Sequence, residues 1–153
     1  MNATAFREID QTVLDRLHAV VGDPGVITDA NDKSPYLSDE RGYYTGATPM
    51  VVRPSSTEEV SEVVRICNET CTPIVPQGGN TGLCGGATPY EHGGEVLLSL
   101  TRMNKVRELD PLNYTITVEA GVILADVQTA AEEAERYFPL SLGGEGTARI
   151  GGN

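Results

Sequence analysis

Apolar and polar positions alternate along this chain with changing periods, and the changes outline its elements. Between 8 and 21, Val13, Leu14, Leu17 and Val21 recur at helical spacing with polar residues between them. That pattern predicts an amphipathic helix ended by Gly22, with Pro24 just beyond. From 22 to 49 no period holds and Gly, Pro, Asp, Ser and Tyr dominate. An irregular arm is expected there, packed on the body through Tyr36, Tyr43 and Tyr44. MVVRP at 50–54 reads as a short buried strand stopped by Pro54. In SSTEEVSEVVRICNET, Ser56 and Glu59 have the spacing of a capping box. Val60, Val63, Val64 and Cys67 then give the stripe of a helix packed on a sheet. PIVP at 73–76 is the next strand, so 50–76 predicts a compact βαβ unit with parallel strands and a right-handed crossover.

EVLLSL at 95–100 is a third strand and MNKVRELD a candidate fourth. YTITVEA alternates, with Tyr114, Ile116, Val118 and Ala120 on one face and Thr115, Thr117 and Glu119 on the other. After Gly121, Leu124, Val127, Ala131 and Ala134 mark a second amphipathic helix with Glu132, Glu133 and Glu135 on its wet side. Two glycine-rich stretches stand apart from all of this. PQGGNTGLCGG at 76–86 follows the second strand, and FPLSLGGEGTARIGGN at 138–153 follows the second helix.

Composition narrows the function classes. The 153 residues suffice for one ordinary domain with a core, and 39% apolar with 22% charged content is that of a soluble globular protein. A net charge of −11 speaks against a nucleic-acid or anionic-membrane partner, since either needs a basic footprint. The N-terminus has the features of neither a secretory signal nor a mitochondrial leader, so a cytoplasmic location is expected. Peripheral membrane association through other segments stays open. Cys67, Cys71 and Cys84 read as free thiols, with Cys67 and Cys71 as small packing residues. With His18 and His92 as the histidines, no metal site is expected.

Glycines in a loop leaving a parallel strand let successive N–H groups turn inward and hold an anion, with no cationic side chain required. The first stretch contains no Lys or Arg, and Asn80 and Thr81 add short polar groups that tolerate unusual turns. Phosphate binding is therefore chemically sensible, although a mobile surface loop has the same composition. No Gly-Lys-Ser/Thr of a Walker loop is present. A Rossmann fingerprint fails at Arg149, three residues after Gly146. Gly79-Asn80-Thr81-Gly82 matches the GxxG of KH modules by letters alone, without basic flanks.

PQGGNTGLCGG resembles the pyrophosphate loop of the vanillyl-alcohol oxidase/p-cresol methylhydroxylase flavoprotein superfamily. VVRPSSTEEVSEVVRICNE is similar to the strand and helix before that loop. LLSLTRMNKVRELDPLNYTITVEAGV is similar to the segment after it, and FPLSLGGEGTARIGGN to the second flavin-contacting stretch. The Gln77 and Asn80 form of the loop is most like the D-2-hydroxyglutarate and D-lactate dehydrogenase and glycolate oxidase branch. The resemblance implies an α+β fold: two small α/β subdomains of a PCMH-type FAD-binding domain over 46–153, the second incomplete, with 1–45 as N-terminal helix and arm. It places the FAD diphosphate against Pro76, Gly78, Gly79, Asn80, Thr81, Gly82, Gly85 and Gly86. Pro139, Gly143, Thr147, Gly151, Gly152 and Asn153 would lie nearer the ribityl chain and ring. A valine at Gly82 would then block both a positive φ and phosphate approach. Asn80 stands where some members carry a flavin-linking histidine, and no loop residue replaces it, so FAD is expected to be noncovalent.

For the whole enzyme the resemblance implies oxidation of a D-2-hydroxy acid, with a quinone, a cytochrome or an electron-transfer flavoprotein as acceptor, and a possible homodimer. The chain ends inside the second stretch, as a fragment of a longer enzyme would, and is expected to be inactive alone. No catalytic acid or base is assigned; Asp110, Glu119, Asp126 and Glu145 read as solvated or structural carboxylates. A noncatalytic flavin- or nucleotide-binding module, or a fragment that holds no ligand, are the competing readings.

Overall fold

The computed structural model describes residues 8–153. Helix α1 (Gln11–Val21) starts at Asp10, whose carboxylate accepts from Thr12 N at 2.8 Å. It ends at Gly22, where φ of 65° is a conformation that glycine adopts without steric cost. The arm contains β1 (Val26–Ile27), the short α2 (Ala30–Lys33) and a 3₁₀ turn over Ser34–Tyr36. Its tip is organised by Asp39 rather than by tyrosines: the buried carboxylate accepts from Tyr44 N at 2.8 Å and from Arg41 N at 3.4 Å. Tyr43 is 75% exposed, so the expectation that it packs on the body is corrected. Tyr36 is half-buried, and the Tyr44 ring lies beside Gly85.

Strands β2 (Val51–Val52), β3 (Ile74–Gln77) and β4 (Val96–Ser99) are parallel, and β1 pairs antiparallel with β2, giving the order β1-β2-β4-β3. The parallel crossover is as expected, but β4 sits between β2 and β3, so the unit is split. The crossover rule sets direction and hand without setting adjacency. Pro76 is tolerated because β3 is an edge strand, where a missing N–H costs no ladder bond.

Helix α3 (Thr57–Thr70) begins at Ser56, which accepts from Glu59 N at 3.2 Å. The reciprocal bond of a capping box goes instead from Ser55 N to Glu59 Oε2 at 2.6 Å. The buried stripe is Val63, Ile66 and Cys67; Val64 is 45% exposed, so the helix is rotated from the predicted face. Cys71 ends the helix in the left-handed conformation and is exposed, hence not a packing residue. Helices α1 and α3 cover one face of the sheet around Leu17, Val52, Val63, Val96 and Leu98. Arg16 bridges them, 2.8 Å from Glu69.

The second sheet is the antiparallel pair β5 (Val106–Asp110) and β6 (Thr115–Val118), followed by α4 (Leu124–Glu133). Leu124, Val127 and Ala131 are buried, and Glu132, Glu133 and Glu135 face water as predicted. The predicted alternation fails at both ends of β6. Tyr114 is exposed at φ 57°, with the Arg136 guanidinium 4.6 Å from its ring centroid. Glu119, placed on the polar face by its letters, is buried, accepting from Lys105 N at 3.0 Å and Arg107 at 3.3 Å. Those donors, the Lys105 amide first, hold its carboxyl below the usual glutamate range. Its stabilising contribution is therefore present at neutral pH and lost as pH falls through that lowered pKa. Glu119→Gln is expected to lower stability at pH 7 by about 1–3 kcal/mol, with the gap to wild type closing in acid. Denaturant melts across pH check this; a pH-independent gap would contradict it.

Candidate functional site

Both glycine-rich segments lie at the C-terminal end of β3 and against one another. A Cβ on Gly79 would lie 2.0 Å from Thr147 O and 3.0 Å from Ala148 Cα. A Cβ on Gly78 would come within 3.1 Å of Arg149 Cβ, and one on Gly144 within 3.1 Å of Thr81 Cγ2. Glycine is required at 79 by close backbone approach, with no positive φ involved. Gly82 and Gly86 have open space around them and no positive φ, so the predicted φ block at Gly82 is corrected. Gly85, at φ 70° and against the Tyr44 ring, is the loop glycine with left-handed backbone.

Two side-chain amides hold the first loop open. Gln77 is buried and donates to Tyr36 O and to Ala87 O, both at 2.9 Å. It thereby pins the arm and the loop's far end to β3. Asn80 takes the loop's other left-handed position, φ 54°, and donates through Nδ2 to Ser38 O at 2.7 Å. Its side chain is thus committed to the arm, leaving its backbone for a ligand.

Between Gly78 and Ala87, no backbone N–H donates to another protein group among the described residues. Gly78, Gly79, Asn80 and Thr81 are nonetheless half-buried. Shielded amides need an acceptor, and a run of them in a loop is the donor set an anion takes. The second segment differs. Over its last residues the amides are spent internally: Gly151 on Ala120 O at 2.9 Å, Gly152 on Arg149 O at 2.9 Å, and Asn153 on Ile150 O at 3.4 Å. Those residues can wall a site but have few main-chain donors to offer it. Pro139 and Gly143 are exposed, and no hydrogen bond joins them to the first loop among the described residues.

Pro76, Gly85 and Gly86 line an open groove of about 900 Å³ along the β3 edge, together with Tyr43, Tyr44 and Tyr90. The sequence-predicted residues therefore divide: Gly78, Gly79 and Thr81 meet the second segment, and Pro76, Gly85 and Gly86 face the groove. Arg149 was missed as a site residue, because it entered the sequence reading as a broken fingerprint. The signal was its place between two glycine runs in an otherwise acidic chain.

The carboxylates near the motifs have structural partners. Asp110 accepts from Leu112 N at 3.0 Å and from Asn113 N at 3.1 Å. Glu145 is held by Gln128 and Ser141, both at 3.2 Å, and Gln128 leads in keeping its carboxyl below the usual range. Among the described residues no His, Cys, Asp and Glu cluster could hold a metal ion, and no helix is long and apolar enough to cross a membrane.

The FAD binding domain family matches residues 48–153, which takes in both glycine segments and the sheets that carry them. The chain belongs to this FAD-binding family. A probable mitochondrial D-2-hydroxyglutarate dehydrogenase of Oryza sativa subsp. indica is 36% identical over 149 residues, 97% of this chain. A D-lactate dehydrogenase of Anaerostipes hadrus is 42% identical over 119 residues, 77% of the chain. The chain spans 26% and 24% of those relatives' lengths. Among solved structures, p-cresol methylhydroxylase with substrate bound aligns with a TM-score of 0.69 at 29% identity, over 82% of this chain and 25% of that one. Alkyldihydroxyacetonephosphate synthase aligns at TM-score 0.84 and 19% identity over 95% of this chain and 29% of that one, which shows the shared fold. The mixed α/β architecture with two sheets is thus that of the N-terminal portion of a PCMH-type FAD-binding domain. The cradle fits the family's cofactor: unpaired loop amides for a diphosphate, and a glycine contact too close for any side chain.

Proposed function

We propose that this chain is the FAD-holding part of a flavin-dependent dehydrogenase that oxidises a D-2-hydroxy acid to the 2-oxo acid. The observation that carries the reading is the run of amides over 78–87 that are unpartnered among the described residues, half-buried over 78–81 and framed by Gln77, Asn80 and the Gly79–Thr147 contact. Membership in the FAD-binding family supports the cofactor, and the hydroxyacid dehydrogenases among its relatives support the substrate class. Bound flavin supplies the electron-accepting chemistry; the chain's own part is to bind and orient it. The loop amides receive the diphosphate, the 147–153 segment walls the site, and Gln77 ties the loop's far end and the arm to β3. Substrate-binding groups and the acid or base of the reaction are assigned to no residue of this chain. A quinone, a cytochrome or an electron-transfer flavoprotein completes the cycle in this proposal.

The attachment is proposed to be noncovalent, since Asn80 stands at the position considered for linkage and its side chain is engaged with Ser38. The test uses the full-length protein. Its flavin spectrum is expected to bleach under anaerobic D-lactate or D-2-hydroxyglutarate, and acid precipitation is expected to release the flavin into the supernatant. A flavin spectrum that no hydroxy acid bleaches would overturn the substrate class. Flavin retained in the pellet would overturn noncovalent binding.

A further inference from the structure

The first glycine loop brings no cation of its own: from Pro76 to His92 the chain has no Lys or Arg. One cation stands at its base. The Arg149 stem packs under Gly78, with Cβ 3.1 Å and Cγ 3.3 Å from where a Gly78 side chain would begin. Its Nη1 donates to Gly121 O at 2.8 Å. Its Nε is buried and has no hydrogen-bond partner. The ion pairs among the described residues join Arg16, His18, Arg65 and Arg107 to carboxylates, and Arg149 is in none of them.

An arginine half-buried without a counter-ion is costly, and more so if its remaining donors have no role. A side chain needed only as a bolt onto Gly121 O would use one N–H of the five that a guanidinium carries. Arg53 has a similar buried Nε and likewise donates from its head to one carbonyl, Pro24 O at 2.9 Å, but in a different part of the fold. Arg149 sits instead where the two glycine segments meet. A diphosphate received by the loop amides would bring negative charge beside this unpaired cation.

Resting on the flavin reading above, we propose that Arg149 is the fixed positive charge of the dinucleotide site. It positions the 147–153 segment against Gly78 and offsets the charge of the diphosphate that the loop amides receive. The neutral amides supply direction, and Arg149 supplies the charge the loop lacks. It is a positioning residue that acts through the field at the site.

The experiment measures FAD affinity of the apo form of the full-length protein, by flavin fluorescence quenching, at low and high ionic strength. Wild type is compared with Arg149→Met and Arg149→Lys. Arg149→Met is expected to weaken FAD binding about tenfold or more at low salt, the scale of one charge-assisted interaction. The deficit is expected to shrink at high salt, because the wild type alone loses a screened attraction. Arg149→Lys is expected to recover most of the low-salt affinity and the salt dependence. Arg149→Met binding FAD as tightly as wild type would overturn the inference. So would a deficit of the same size at both salts that Arg149→Lys does not rescue, which is the signature of a bolt alone. A wild-type protein that binds no FAD at any salt would instead sink the flavin reading, and this inference with it.

Discussion

Gly79→Ala is expected to strip the full-length protein of most of its flavin while leaving its helices intact. The added methyl would begin 2.0 Å from Thr147 O and 2.7 Å from Thr147 C, backbone atoms that cannot swing aside as a side-chain tip can. Either the 147–149 strand of chain moves away or the loop does, and both moves open the site. Overpacking of this kind costs about 1–3 kcal/mol, and here the strain falls on the contact that shapes the cradle. Flavin content after gel filtration is expected to fall below about a tenth of the wild-type value, since each 1.4 kcal/mol is tenfold in affinity. Gly82→Ala is the matched control. Nothing lies within 4 Å of its added methyl and its φ is ordinary, so the protein itself offers no resistance. Equal flavin loss in the two variants would mean that the contact between the segments does not shape the site.

Gln77→Leu is expected to have the second large effect, on stability first and on flavin through it. The residue is buried, and its amide nitrogen serves two main-chain carbonyls, Tyr36 O and Ala87 O. Leucine keeps the volume and removes both donors, leaving two shielded carbonyls without partners. A loss of about 2–4 kcal/mol is expected, at roughly 1–3 kcal/mol for each orphaned group. The arm and the loop's far end should loosen together, because one side chain holds both. Limited proteolysis is expected to cut near the arm tip at Asp39–Tyr44 in the variant before any site in the sheet. Unchanged melting and unchanged proteolysis would show that the two hydrogen bonds do not hold the arm.

Much of the fold could be read from periodicity, and the failures have common causes. α1 and its stop at Gly22 follow from local rules that the neighbours do not override. α3 was placed, yet its buried face turned out to include Ile66 and to leave Val64 wet. Two adjacent valines do not say which faces the sheet until the sheet is there. Glu119 looked outward by alternation, but a carboxylate with an amide and a guanidinium beside it can be buried. β4 entering between β2 and β3 is a long-range choice with no local signal.

The site was legible as two separate motifs but not as one contact. Glycine composition flagged 78–86 and 143–152, and the resemblance gave them a common ligand. That Gly79 must be glycine because of Thr147 O, and Gly82 not for that reason, depends on atoms almost seventy residues apart in sequence. Asn80 reads as a ligand contact in the sequence; in the fold its side chain is turned to the arm, so that contact falls to its left-handed backbone. By its letters Arg149 is only the residue that breaks a glycine fingerprint. In the fold its Nε is buried without a hydrogen-bond partner, and it is in no ion pair among the described residues.

The central claim is that the amides of 78–87 receive the dinucleotide's diphosphate. Hydrogen–deuterium exchange on the full-length protein, with and without FAD, tests it most directly. The account predicts strong protection of peptides covering 78–87 on FAD addition, and much smaller change over 151–153, whose amides are already bonded within the protein. FAD binding that leaves the exchange of 78–87 unchanged would contradict it.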